Sequence, residues 1–219
     1  KIITFLLILV FSFYAPYTAF LNDAPKAKNN VIDIYPGDSI NTSIKKISSD
    51  SAINKIFIKL FLMSNNISDF KAGEYSIKNK KVKDIIIDIS VGATVTHKFT
   101  ILEGTNIYDL EKQINNSVLI NDCPYLECIE SSFPFYEGIL FPDTYFYKKG
   151  MRSSIILKKS SKRMSEFIDS LEPNKSVPLS KNDLLILASI IEKEAGNDSE
   201  KNLIAGVFLK RLTDNMRLQ

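Results

Sequence analysis

The chain has 219 residues, 45% hydrophobic and 24% charged, with 28 Lys and Arg against 25 Asp and Glu for a net charge of +3. That apolar content excludes a chain disordered throughout, and the charge is too small to mark a nucleic-acid binder without a clustered basic face. Two Cys and one His cannot supply a zinc site of ordinary ligand count, so no metal site is expected. A His-centred triad could run only through His97.

Residues 2–21 carry no charge and at helical rise would span about 30 Å, the thickness of a bilayer core. Two readings fit, an uncleaved membrane anchor or a secretory signal peptide. The anchor is preferred because no small-x-small cleavage site follows, and Tyr14, Tyr17 and Phe20 resemble an interfacial aromatic belt. Both readings send the rest of the chain across the membrane. There Cys123 and Cys128 could pair or remain as two half-buried thiols; so short a loop would constrain the unfolded chain little.

Residues 22–30 are polar and read as a linker. Val31 to Tyr35 alternates as a strand, the Pro36–Gly37 turn follows, and Ile40, Ile44 and Ile47 mark a helix with Ser39 as its N-cap. The same strand–turn–helix pattern returns from His97: a strand to Leu102, the Glu103–Gly104 turn, and a stripe of Ile107, Leu110 and Ile114. Between the copies, Ile53, Phe57, Leu60 and Phe61 predict a helix, Lys71 to Ile77 a turn into a strand, and Val82, Ile85, Ile86 and Ile89 a short helix. The lysines at 71, 78, 80, 81 and 83 read as a solvated face. Beyond them, Glu137 and Asp143 frame an apolar turn that ends in Tyr145. A helix over residues 154–171 is predicted to bury Ile155, Leu157, Met164, Phe167 and Ile168. A final helix, from 200 to 212, should bury Leu203, Ile204, Val207, Phe208 and Leu212.

The helix over residues 181–195 carries the chemistry. Leu184, Leu187, Ile190 and Ile191 form one stripe, and at about 100° per residue Glu194 falls roughly 20° from Leu187. Glu194 is therefore expected on the buried side, where desolvation would raise its pKa and suit it to act as a general acid. Glu192 falls on the opposite face. The alternative is structural: Glu194 caps a neighbouring helix or pairs with Lys193, Lys210 or Arg211.

Four ordered segments resemble the endolytic murein transglycosylase (MltG, YceG-like) family. These are Phe70-Lys71-Ala72-Gly73-Glu74-Tyr75, the run from Glu137 through Pro142-Asp143-Thr144-Tyr145, Leu187-Ala188-Ser189-Ile190-Ile191-Glu192-Lys193-Glu194, and Val207-Phe208 with Arg211-Leu212 and Met216-Arg217-Leu218-Gln219. Lys210 stands where the family usually has Asn. The resemblance implies an inner-membrane, single-pass enzyme with its catalytic domain outside the cytoplasm. Such an enzyme cleaves the MurNAc–GlcNAc bond within nascent peptidoglycan strands and leaves a 1,6-anhydro-MurNAc end. It also implies Glu194 as the one essential carboxyl, acting as acid and then base, with no cofactor. Glu137, Asp143, Tyr145 and Gln219 are candidate substrate contacts, and cell-wall synthesis enzymes are the implied protein partners. The expected fold is α+β: an anchor over residues 1–21, a linker over 22–30, a LysM-like β/α domain over 31–96, and a catalytic domain over 97–219. Because the chain stops at Gln219 inside the last motif, that domain is expected to be incomplete. The competing reading is a non-enzymatic, membrane-tethered peptidoglycan-binding module.

Overall fold

In the computed structural model, which describes residues 2–25, 29–48, 50–131, 133–171 and 179–218, helices and short strands alternate in an α+β arrangement. The chain divides into two compact units, Lys1–His97 and Lys98–Gln219.

The first unit opens with α1 (Ile2–Asn22), which continues through Pro16. Among the described residues it is the one helix long and apolar enough to cross a membrane, by length and composition. Its last turns do not stand free. Leu21 is buried, and Tyr17 and Phe20 pack on the core of the unit, so these two aromatics form part of a protein contact as well as a candidate belt. The segment read as a linker is tied down at both ends: the Val82 amide donates to the Asp23 carbonyl at 3.1 Å, and the Ile77 amide to the Asn30 carbonyl at 2.9 Å.

Next come β1 (Val31–Ile34), α2 (Ile40–Ile47), α3 (Ala52–Ser64), β2 (Gly73–Ser76) and α4 (Val82–Val91). The strands pair antiparallel, with Val31 opposite Ser76 and Ile34 opposite Gly73. Ser39 caps α2 as expected, accepting from the Thr42 amide. The core is Ile32, Ile34, Ile44, Ile47, Ile58 and Tyr75, closed by the α4 isoleucines. Two members of the α3 stripe are misplaced by periodicity, since α3 buries Phe57, Ile58 and Leu62 and leaves Ile53 and Leu60 exposed. This helix is apolar on more than one side, and its neighbours decide which side is covered.

The Phe70–Tyr75 motif is architectural. Tyr75 is fully buried and its hydroxyl donates to the Lys71 carbonyl at 2.8 Å; burial, helped by the Asp88 charge, pushes its pKa up. Gly73 sits at φ +149°, and a Cβ there would lie 2.3 Å from Thr94 Cγ2. Glu74 is buried and its carboxylate lies 2.5 Å from His97 Nε2. That bond occupies the chain's single His.

Strand β3 (His97–Ile101), which begins at the boundary residue His97 and continues into the second unit, pairs with β4 (Asp143–Tyr147). Around them lie α5 (Ile107–Asn115), a 3₁₀ turn at Pro124–Leu126, and α6 (Ser153–Ser170); α7 (Lys181–Glu194) and α8 (Asp198–Thr213) follow. Phe99, Ile101, Leu110, Ile114, Tyr145 and Leu157 form the heart of the core. Cys123 and Cys128 are disulfide-bonded. Asp122 anchors the start of α6, accepting from the Ser154 amide at 2.9 Å and the Ser154 hydroxyl at 2.7 Å. Burial would raise this carboxyl, but the bonds from Ser154 and Ser153 outweigh it and hold the pKa below its ordinary value.

The predicted stripes on the last helices are corrected here. Ile155 and Phe167 of α6 are exposed, and the buried face instead includes Ile156 and Ser160. On α8, Phe208 is buried, whereas Leu203 is 72% exposed and Val207 44%.

Candidate active site

Within the second unit a cleft of about 700 Å³ opens between the turn after β3, the segment leading into β4, and α7. That volume lies within the range of small-ligand sites. Its walls are apolar, formed by residues such as Ile107, Leu110, Phe135, Leu140 and Leu185, while Glu103, Glu137, Glu192 and Glu194 also line it. Apolar walls with a few carboxyl groups around them suit proton transfer to a bound polar ligand, because solvent competes less there.

Glu137 and Glu192 are each held by a specific contact. Asn106 caps α5 by accepting from the Asp109 amide at 2.8 Å. Across from it, Glu137 Oε1 accepts from the Ile107 amide at 3.4 Å. This puts a carboxylate at the positive end of α5, where the helix dipole favours it. Ser180 caps the start of α7, whose far end carries Glu192, Lys193 and Glu194. Glu192 pairs with Lys201 of α8 at 2.7 Å, and Lys201 also holds Asp198 at 2.7 Å. These two carboxylates push the Lys201 pKa up. Lys193 Nζ donates to the Gly104 carbonyl at 2.8 Å.

Glu194 requires a correction. It is the last residue of α7 and is exposed along the cleft, not buried among the stripe residues. Periodicity sets its direction around the axis. It does not set depth, and Glu194 lies about 10 Å further along the helix than Leu187, the one α7 residue that is fully buried. Among the described residues no ion pair joins Glu194 to Lys193, Lys210 or Arg211, the partners of the structural alternative. Glu192, expected on the opposite face, lines the same cleft, whose α7 wall runs along the helix from Leu185 through Ala188 and Ser189 to Glu194.

The other candidates separate. Glu137 joins Glu194 in lining the cleft. Asp143 does not line it; its carboxylate is paired with Arg163 and accepts from the Thr144 amide. The bond to Arg163, then that to Thr144, holds the Asp143 pKa below its ordinary value. Tyr145 is buried in the core, with its hydroxyl donating to the Phe141 carbonyl at 2.8 Å. Gln219 lies outside the described residues. Sequence reasoning treated Glu103–Gly104 only as a turn and missed that it forms a cleft wall. An apolar Leu102 followed directly by Glu103 and Gly104 at the turn was the signal the sequence offered; the structure exposes both side chains beside a glycine at φ +70°.

The chain is 25% identical over 240 residues to the endolytic murein transglycosylase of Streptococcus pneumoniae serotype 2, covering 90% of this chain and 43% of that protein. It is 27% identical over 219 residues to the endolytic murein transglycosylase of Bacillus subtilis, covering 83% of this chain and 61% of that protein. The chain thus spans about half the length of these relatives. A crystal structure of a yceG-like protein from Listeria monocytogenes superposes with a TM-score of 0.44 at 22% identity, over 86% of this chain and 72% of that one. Residues 32–219 match the YceG-like family, and the chain belongs to that family.

Proposed function

We propose that this chain is part of an endolytic peptidoglycan lytic transglycosylase, with Glu194 as its single catalytic carboxyl. The reading rests on one observation above the others: Glu194, in the Glu192-Lys193-Glu194 run, lines a cleft of about 700 Å³ and has no ion-pair partner among the described residues.

The chemistry needs one carboxyl used twice. Protonated Glu194 gives its proton to the glycosidic oxygen between MurNAc and GlcNAc as the C1–O bond breaks. The C6 hydroxyl of the same MurNAc attacks C1, and the Glu194 carboxylate takes the hydroxyl proton. The products are a 1,6-anhydro-MurNAc end and a GlcNAc with a free 4-hydroxyl. No water is consumed, so the second carboxylate that ordinary glycosidases require has no necessary role. Residues of this chain supply both proton transfers, without metal or organic cofactor. Glu137 is proposed to hold sugar hydroxyls from the opposite wall. Asp143 and Tyr145 would act through the shape of the turn, and Gln219 is retained as a substrate contact.

In the same reading, residues 31–96 are a LysM-like module, supported by the strand–helix–helix–strand order of residues 31–76 and the antiparallel pairing of the two strands. Helix α1 is a single-pass inner-membrane anchor that leaves the rest of the chain outside the cytoplasm. Peptidoglycan strands are the substrate, and cell-wall synthesis enzymes are the proposed partners.

The test is release of anhydro-ended muropeptides from purified peptidoglycan by the full-length protein. Glu194→Gln should lower the rate by about 10²–10⁴-fold while glycan binding persists, and Glu192→Gln should keep most activity. Normal release by Glu194→Gln would overturn the assignment. Glycan binding without cleavage by the unaltered protein would favour the non-enzymatic module.

A further inference from the structure

Helix α3 exposes an apolar stripe that its own unit does not cover. Ile53, Ile56, Leu60 and Met63 are 53%, 50%, 40% and 77% exposed. Their spacing puts them on one face, within about 40–120° of Phe57 to one side of the helix. Phe57 itself is 3% exposed because α1 covers it. Its ring meets Phe13 edge-on at 5.4 Å and Tyr17 at 5.6 Å, and lies 5.9 Å from Phe20. The stripe therefore begins where the α1 contact ends and continues the apolar surface of α1, on which Val10, Phe11 and Tyr14 are themselves largely exposed.

This continuity fixes depth. If α1 crosses a bilayer, as proposed above, the α1 residues touching Phe57 lie in its outer half, from mid-span Phe13 to Phe20 near the outer end, and aromatic residues near that end sit at headgroup level. A helix packed sideways on those turns cannot stand clear of the membrane. Exposed Lys59 flanks the stripe, and Lys55 lies about 120° from its centre. This is the division of apolar and basic faces found in helices lying in a bilayer interface.

We propose that α3 lies in the membrane interface, with Ile53, Ile56, Leu60 and Met63 submerged in lipid beside α1. The first unit is then held against the membrane by two helices, one crossing it and one lying in it. The proposal rests on the anchor reading of α1 and is independent of Glu194.

The chain contains no Trp, so a single introduced Trp reports its own surroundings. The full chain would be reconstituted in phosphatidylcholine/phosphatidylglycerol vesicles carrying lipids brominated at known depths. Met63→Trp should emit to the blue and lose roughly half or more of its intensity to shallow bromines, as expected at a depth of about 5–10 Å. Lys55→Trp, at a half-buried position that pairs with Asp50 away from the stripe, should stay unquenched. Phe11→Trp, on the exposed side of α1, should be quenched by deep bromines. Quenching of Phe11→Trp but not Met63→Trp would overturn the proposal and leave the anchor standing. Failure of both would remove the anchor reading and the proposal together. A blue-shifted but unquenched Met63→Trp would mean that protein, such as a second copy of the chain, covers the stripe. Equal quenching at positions 63 and 55 would overturn the orientation.

Discussion

Lys193 Nζ donates to the Gly104 carbonyl at 2.8 Å, tying the last turn of α7 to the turn after β3. The residue next to it is Glu194, whose placement in the cleft depends on where that turn is held. Lys193→Met keeps most of the side-chain stem and removes the bond. If Glu194 is the catalytic acid, as proposed, displacement by a fraction of an ångström to one ångström should lower kcat by about 10- to 100-fold, with KM little changed. Steady-state kinetics of muropeptide release, together with faster hydrogen exchange at the Ala195 amide, would check this. An unaltered kcat would mean that α7 is held by other contacts.

Gly73→Ala should destabilise the first unit by about 1–3 kcal/mol, the usual scale for a side chain forced into a disfavoured backbone region. The backbone there is at φ +149°, and the new Cβ would meet Thr94 Cγ2 at 2.3 Å. Gly37, at φ +88° with nothing within 4 Å, isolates the backbone part, so Gly37→Ala should cost less. Urea midpoints of the two variants give the comparison.

The Asp143–Arg163 pair should make stability depend on acid pH. The folded Asp143 pKa lies below its unfolded value, chiefly through the Arg163 bond. Its stabilisation is therefore complete above the unfolded value of about 4 and disappears as pH falls through the lowered folded value. Asp143→Asn should melt earlier than the unaltered protein at neutral pH, and the gap should close below about pH 4. Melting curves at constant ionic strength would show it; a gap independent of pH would exclude the ion pair as the cause.

Removing the Cys123–Cys128 bond should cost about 2 kcal/mol, from loop-closure entropy for so short a loop. Double substitution to Ala, compared with the oxidised protein in denaturant, measures it. A much larger loss would point to the packing of Cys123, which is 1% exposed, as the dominant contribution.

Elements with strong local signals were legible in the sequence alone. The Ser39 cap, the isoleucine stripe of α4 and the repeated strand–turn–helix units all appear, because capping and periodicity act within a few residues of chain. The motif run ending at Glu194 and its place at the end of a helix were legible in the same way. What the sequence could not determine was depth and partnership. Periodicity gives direction around an axis, so it put Glu194 on the Leu187 side but could not tell that α7 outruns its core. Nor could it choose which apolar face of α3 or α8 is covered, since that depends on neighbours distant in sequence. Tertiary structure alone decided that Glu192 and Glu194 line one cleft, that Lys193 reaches the Gly104 carbonyl, and that Glu137 accepts from the Ile107 amide. Each of these depends on a contact between separate elements, whose geometry no local pattern encodes.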